Sequence, residues 1–129
     1  MPGGAAIFVD TGPLVAIFDA DDMHHEICAA TLKRIRGPLL TVWPAVTEAM
    51  YLLSFSEAAC ERLLSWLESG PLAVLELRIA DLKRVGELLA KYRDLPMDFT
   101  DAVIVSLAER EIIWRLSARL LPTCCQPRG

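Results

Sequence analysis

The chain has 129 residues, a formal net charge of −4 and 53% hydrophobic but only 7% aromatic residues. That is one domain with a core filled by Leu, Val, Ile and Ala, which favours helices packed on a sheet buried on both faces. The acidic balance excludes a broad basic nucleic-acid surface, though not an enzyme that draws in a phosphate backbone through metal ions. Cys28, Cys60, Cys124 and Cys125 show no CxxC or Cys/His spacing of a zinc site and read as core or incidental thiols in a reducing compartment. Met1 to Ala6 carries no basic segment of the kind that opens a signal peptide, and no apolar run approaches about 18 residues. The expectation is a cytoplasmic chain with no membrane partner.

Ile7, Phe8 and Val9 run straight into Asp10-Thr11-Gly12-Pro13, a buried strand that stops at a turn. Gly12 and Pro13 break the strand, and a short helix follows over Leu14 to Phe18. Asp19, Asp21 and Asp22 read as a solvated loop, with Asp22 as a cap for a helix over His24 to Ile35. Leu39 to Val42 is a second strand, and Pro44 opens a helix over Ala45 to Leu53. Ser56 caps a helix to Ser69, ended by Gly70-Pro71. Leu72 to Leu75 is a third strand. Ile79 to Tyr92 is amphipathic, and Asp98 to Glu109 is strongly apolar. Ile112 to Trp114 opens a fourth strand, but the residues beyond it have no clear period. This alternation gives an α/β fold: a short parallel sheet with helices on both faces, whose last strand the pattern does not fix.

Four acids stand out. Asp10 ends the first strand, where a parallel sheet opens its ligand crevice. Glu48 lies inside an apolar helix, PAVTEAMYLL. Asp98 and Asp101 stand three apart at a helix start, on one face and at the positive end of its dipole. Clustered carboxylates raise one another's pKa unless a cation is present. Mg2+ or Mn2+, which take oxygen ligands and keep several waters, resolves that conflict, and metal-bound water suits phosphodiester hydrolysis. Thr11 and Thr47, each beside an acid, are placed to steady a ligand or a metal-bound water. Plainer readings stand beside these: Asp98 as a helix cap, Asp101 as a first-turn acid, His24 and His25 as surface groups, Trp43, Trp66 and Trp114 as packing. Lys33, Arg34, Arg36, Lys91 and Arg93 read as solvated faces ahead of an RNA-flanking role.

The segments FVDTGPLVAIFDADDMHH, PAVTEAMYLL and DLPMDFTDAVIVSLAER, in this order and spacing, resemble the PIN-domain ribonucleases, specifically the VapC-type toxins of bacterial toxin–antitoxin pairs. The resemblance covers residues from about 5 to 110. It implies a three-layer α/β/α fold, RNA cleavage with Mg2+ or Mn2+, a cognate antitoxin and a homodimer. It assigns the family's first acid to Asp10, its glutamate to Glu48 and the acid of its DA helix start to Asp101. Asp98 matches an additional acid of this branch, and Thr11 the hydroxyl residue that follows the first acid. The whole chain, 1–129, reads as one PIN-like domain, family-like to 111 and atypical over 112–129. Members carry a further acid in a last strand, in a segment like TLDRRDF. Here IIWRLSARLLPTCC follows Glu111, with no carboxylate. A reading-frame change near Glu111 is the expected origin: back-translation one base along permits aspartates and basic residues there.

Two other readings compete. One is a catalytically impaired module of the same fold that binds antitoxin or RNA without turnover, because the last acid is missing. The other is an aspartyl-phosphate phosphatase or receiver domain. Gly12 stands where the phosphatase needs a second Asp, and no strand ends in the Lys that a receiver needs.

Overall fold

The structure, a computed structural model, describes residues 6–115 and 118–120, with side chains over 6–111. Four strands form one wholly parallel sheet: β1 (Ala6–Phe8), β2 (Leu39–Val42), β3 (Leu72–Leu75) and β4 (Ala118–Leu120), in the order β3-β2-β1-β4. β1 therefore lies inside the sheet. Ile7 and Phe8 stand opposite Leu39 and Leu40 on one side, and Ile7 and Phe8 opposite residues 119 and 120 on the other. All of β1 and all of β2 are buried, as strands covered on both faces must be. Helices pack on both faces, giving the expected three-layer α/β/α architecture. None of the described helices is long and apolar enough to cross a membrane.

The second and third strands form over the spans their apolar runs predict, and Ser56 caps its helix by accepting from the Ala59 N–H at 3.1 Å. That helix, α4 (Glu57–Ser69), ends on Gly70 at φ 105°, a left-handed residue suited to glycine. Three expectations are corrected. The first helix, α1 (Thr11–Phe18), begins three residues before Leu14. Gly12 and Pro13 sit in its first turn, where a proline's missing N–H has no helical partner to lose. Asp22 is no side-chain cap of α2 (His25–Arg34). His24 holds that position, and the Asp22 carboxylate accepts from the His24 N–H at 2.8 Å in a turn just before it.

The third correction concerns Ile112 to Trp114. They open no strand: α6 (Phe99–Arg115) runs straight through them, and the fourth strand is Ala118–Leu120. No glycine or proline interrupts residues 99–115, and the lower helix propensity of two isoleucines costs only tenths of a kcal/mol. The frame-change reading of the tail falls largely on residues outside those described. So does the thiol reading of Cys124 and Cys125. Cys28 is completely buried and disulfide-bonded, which corrects its reading as a thiol in a reducing compartment, whereas Cys60 is a free thiol as expected.

Two helices from separate parts of the chain are tied by charge. α5 (Leu82–Lys91), preceded by a single 3-10 turn over Ile79–Asp81, packs along α6. The Arg84 fork donates to both Glu109 carboxylate oxygens, at 2.8 and 2.9 Å, a bidentate geometry that favours the charged forms. The Arg84 hydrogen bond, opposed by partial burial and helped by charge attraction, holds the Glu109 carboxyl below its usual range. Arg110 donates to Asp81 and to the Glu76 carbonyl, fastening α6 to the exit of β3.

A carboxyl group whose pKa is lower folded than unfolded stabilises the fold above its unfolded pKa, and loses that contribution as pH falls through the lowered value. Glu109→Gln should therefore melt below wild type at neutral pH, with the gap closing as the solution is acidified below the ordinary carboxylate range. Thermal melts of both proteins across pH 2 to 7 check this; a gap that persists at the acid end would mean that ionisation of Glu109 contributes nothing.

Candidate active site

The site starts at the end of β1. Val9 continues the strand's pairing through its N–H to the Leu40 carbonyl at 2.7 Å, and its own carbonyl accepts from the buried Thr41 hydroxyl at 2.7 Å. This double attachment to β2 fixes the backbone just before Asp10. Asp10 is 4% exposed and extended (φ −83°, ψ 180°), and it is the N-cap of α1, accepting from the Thr11 N–H at 2.6 Å. An N-cap places a carboxylate at the positive end of the helix dipole, which favours its charged form.

Thr11 is as buried as Asp10, and its hydroxyl donates to Glu48 Oε1 at 2.6 Å. Glu48 comes from α3 (Trp43–Leu52), which begins directly after β2, with Val42 as N-cap and Pro44 in the first turn. Residues 37 apart in sequence are joined here by a short hydrogen bond to a charged acceptor, the stronger class of such bonds. Thr47 is exposed. Its hydroxyl donates to the Trp43 carbonyl at 3.0 Å, so its proton is committed to its own helix, and its oxygen lone pairs remain for the cavity it lines.

Asp98 and Asp101 form a reciprocal cap at the start of α6. The Asp101 N–H donates to Asp98 Oδ1 at 2.9 Å, and the Asp98 N–H donates to Asp101 Oδ2 at 3.1 Å. This is the capping-box arrangement with aspartate in both roles. Both acids are half-buried. The plainer reading of Asp98 as a cap is therefore what the geometry shows, and Asp101 closes the same box.

A cavity of about 780 Å³ opens between α3, the end of β3 and the start of α6; Asp10, Thr11 and Asp101 are not among the residues that line it. Glu48 and Asp98 both line it, so acids from α3 and from the start of α6 share one space. Glu76 lines it as well, an exposed acid just past β3 that the sequence reading passed over. It lies in LELR, where alternating charge looks like ordinary surface; its one distinguishing signal is its place at the carboxyl end of a parallel strand. Trp43 also departs from expectation: it is 57% exposed at this cavity, whereas Trp66 packs edge-on against Phe18, ring centroids 5.1 Å apart. The side chain of Trp114 lies outside those described. His25 Nδ1 donates to the Ala16 carbonyl at 2.7 Å, a structural contact between α2 and α1. Lys33, Arg34, Arg36, Lys91 and Arg93 are exposed, as solvated faces should be.

Among the described residues, no three His, Cys, Asp or Glu side chains lie together in a group that could hold a metal ion. The donor set is carboxylates and hydroxyls, without imidazole or thiolate. That chemistry fits a hard divalent cation which keeps most of its waters and binds through one or two carboxylates; it does not fit a zinc cage.

The PIN domain family model matches residues 7–116, most of the chain. No curated protein matches at a significant level. Among solved structures, the fold is similar to that of Mycobacterium tuberculosis VapC20, a Sarcin-Ricin loop cleaving toxin, with a TM-score of 0.74 and 19% identity over 81% of this chain and 82% of that one. At that identity the likeness establishes the common fold. The span of the family match, over β1, Asp10, Glu48 and the start of α6, decides the family: the chain belongs to the PIN-domain proteins.

Proposed function

We propose that the chain is a metal-dependent endoribonuclease, the toxin of a toxin–antitoxin pair, hydrolysing RNA phosphodiesters at the carboxyl edge of its sheet. One observation carries the reading: the Thr11–Glu48 hydrogen bond joins the turn that bears Asp10 to the helix that follows β2, over an acid-lined cavity. Membership of the PIN family, and the toxin activity in the name of the similar VapC20, support it. Asp10, Glu48, Asp98 and Asp101 would hold Mg2+ or Mn2+. Bound there, the ion supplies an activated water and charge neutralisation at the scissile phosphate. The protein's own part is positional: Asp10 is fixed as the cap of α1, Thr11 orients Glu48, and the capped start of α6 presents its two acids. The same reading includes a cognate antitoxin, a homodimer and a cytoplasmic setting.

A second reading, a module that binds RNA or antitoxin without turnover, is favoured by the lack of a three-acid group among the described residues. It goes with the proposal that residues 112–129 arise from a frame change that removed the family's last acid. Losing one such supporting group costs about 10–100-fold in metal affinity or activity. Genomic DNA around codon 111 should then encode, one base along, a tail with aspartates; an intact alternative frame without them removes that explanation.

Asp10→Asn should abolish Mn2+-dependent cleavage of RNA while leaving the circular dichroism spectrum unchanged. Chelation should stop the wild type, with Mg2+ or Mn2+ restoring it. Cleavage that survives either treatment sinks the nuclease reading, and calorimetry with no Mn2+ binding and no cleavage favours the binding module.

Thr11→Val keeps the shape and removes the donor to Glu48. It should lower kcat by about 10–100-fold with little change in KM, and Thr11→Ser should restore most of the loss. Equal loss in the Val and Ser variants would assign Thr11 a packing role only.

A further inference from the structure

The cavity beside the acids has two features that metal binding does not use. Trp43 and Phe99 both line it, with 57% and 46% of their surface exposed. Single exposed apolar residues need no explanation. These two are different because each opens a helix that carries a candidate site acid: Trp43 is the first residue of α3, five before Glu48, and Phe99 the first of α6, next to Asp98. The neighbours of Trp43, Val42 and Ala45, are completely buried, so its backbone is fixed while its ring remains open.

The polar lining is one-sided. Beyond Glu48 and Asp98, which the proposed ion would take, Glu76 contributes a carboxylate and Thr47 a hydroxyl whose proton is already engaged, with no Lys, Arg, His, Asn or Gln in the wall. Such a wall accepts hydrogen bonds. It repels phosphate and suits a flat, neutral group that carries N–H donors. Guanine, adenine and cytosine present exocyclic amines, whereas uracil presents two carbonyls around a single N–H. The volume is within the range of small-molecule sites and ample for one base.

Resting on the endoribonuclease reading above, we propose that this cavity is a base subsite: Trp43 and Phe99 stack on one unpaired, amino-bearing nucleobase flanking the scissile phosphate. Glu76 and the Thr47 oxygen, both acceptors, select against uracil. Sequence-specific recognition of RNA commonly takes splayed-out bases from single strands and loops and stacks them on aromatic rings in this way.

The test uses the full chain with Mn2+ and single-stranded RNA. Cut sites are mapped on a mixed sequence, and each nucleotide flanking the cut is then replaced by A, C, G, U or an abasic residue. Stacking is worth about 1–3 kcal/mol per base, so removing the base should lower the wild-type kcat/KM by roughly ten- to a hundredfold. Trp43→Ala should show that loss on intact RNA and no further loss on the abasic strand. Trp43→Phe should stay near wild type, and Phe99→Leu gives an independent second variant with the same expected pattern as Trp43→Ala. Uracil at the sensitive position should be the poorest of the four bases. An abasic penalty of equal size in wild type and Trp43→Ala overturns the proposal, as does Trp43→Ala cutting at the wild-type rate. If the wild type cuts no RNA, the endoribonuclease reading fails separately. Fluorescence anisotropy with labelled oligo(A), oligo(C) and oligo(U) then decides: weaker binding by Trp43→Ala than by Trp43→Phe, with oligo(U) bound worst, supports the subsite, and equal affinities overturn it.

Discussion

The hydrogen bond from Thr11 to Glu48 is the constraint on which the candidate site depends. It joins two elements that the chain reaches separately, the turn after β1 and the helix after β2. Its geometry is set one layer deeper, where Thr41 on β2 holds the Val9 carbonyl and β1 is paired on both sides. A carboxylate as buried as Asp10 is costly without donors, and the start of α1 provides one immediately. The sheet register, the helix start and the position of the acids are thus parts of one arrangement. A shift of β1 by one residue would turn its side chains to the opposite face and carry Asp10 away from its helix start.

Charge organises the opposite flank by different means. There the links are between arginines and carboxylates, the half-exposed pair Arg84–Glu109 and the more deeply buried pair Arg110–Asp81, and they hold α6 against α5 and the turn before it. An exposed pair of this kind adds little to stability by itself. Their effect is to orient α6, whose start brings Asp98, Phe99 and Thr100 to the cavity. The site therefore draws on the core for Asp10 and Glu48 and on a surface network for the α6 acids.

Much of this was readable from the residues. Short apolar runs preceded by Gly-Pro turns gave β2 and β3 their limits, even though β3 lies at the sheet edge with only Leu72 buried. Asp10 and Glu48 were conspicuous as acids set in apolar surroundings. The Asp98–Asp101 spacing announced a helix start whatever its function. Other features resisted for physical reasons. Pro13 looks like a breaker until it is known to sit in a first turn. Ile112 and Ile113 favour strands only weakly, and an uninterrupted helix overrode them. Glu76 looks like surface because its importance comes from the strand before it. Trp43 was read as packing, since whether a ring at a helix start faces the core or a cavity depends on the helix's docking angle, which no local pattern encodes.

The reciprocal cap between Asp98 and Asp101 has a consequence for how any cation is received. Each of these carboxylates already accepts a backbone N–H through one oxygen, so the first turn of α6 is ordered without help from a ligand. An ion bound as proposed would meet groups already held in place, and whatever it gained would be measured against the donors they already have. Selectivity among ions would then turn on how many of its own waters each can retain on entering such a prearranged frame.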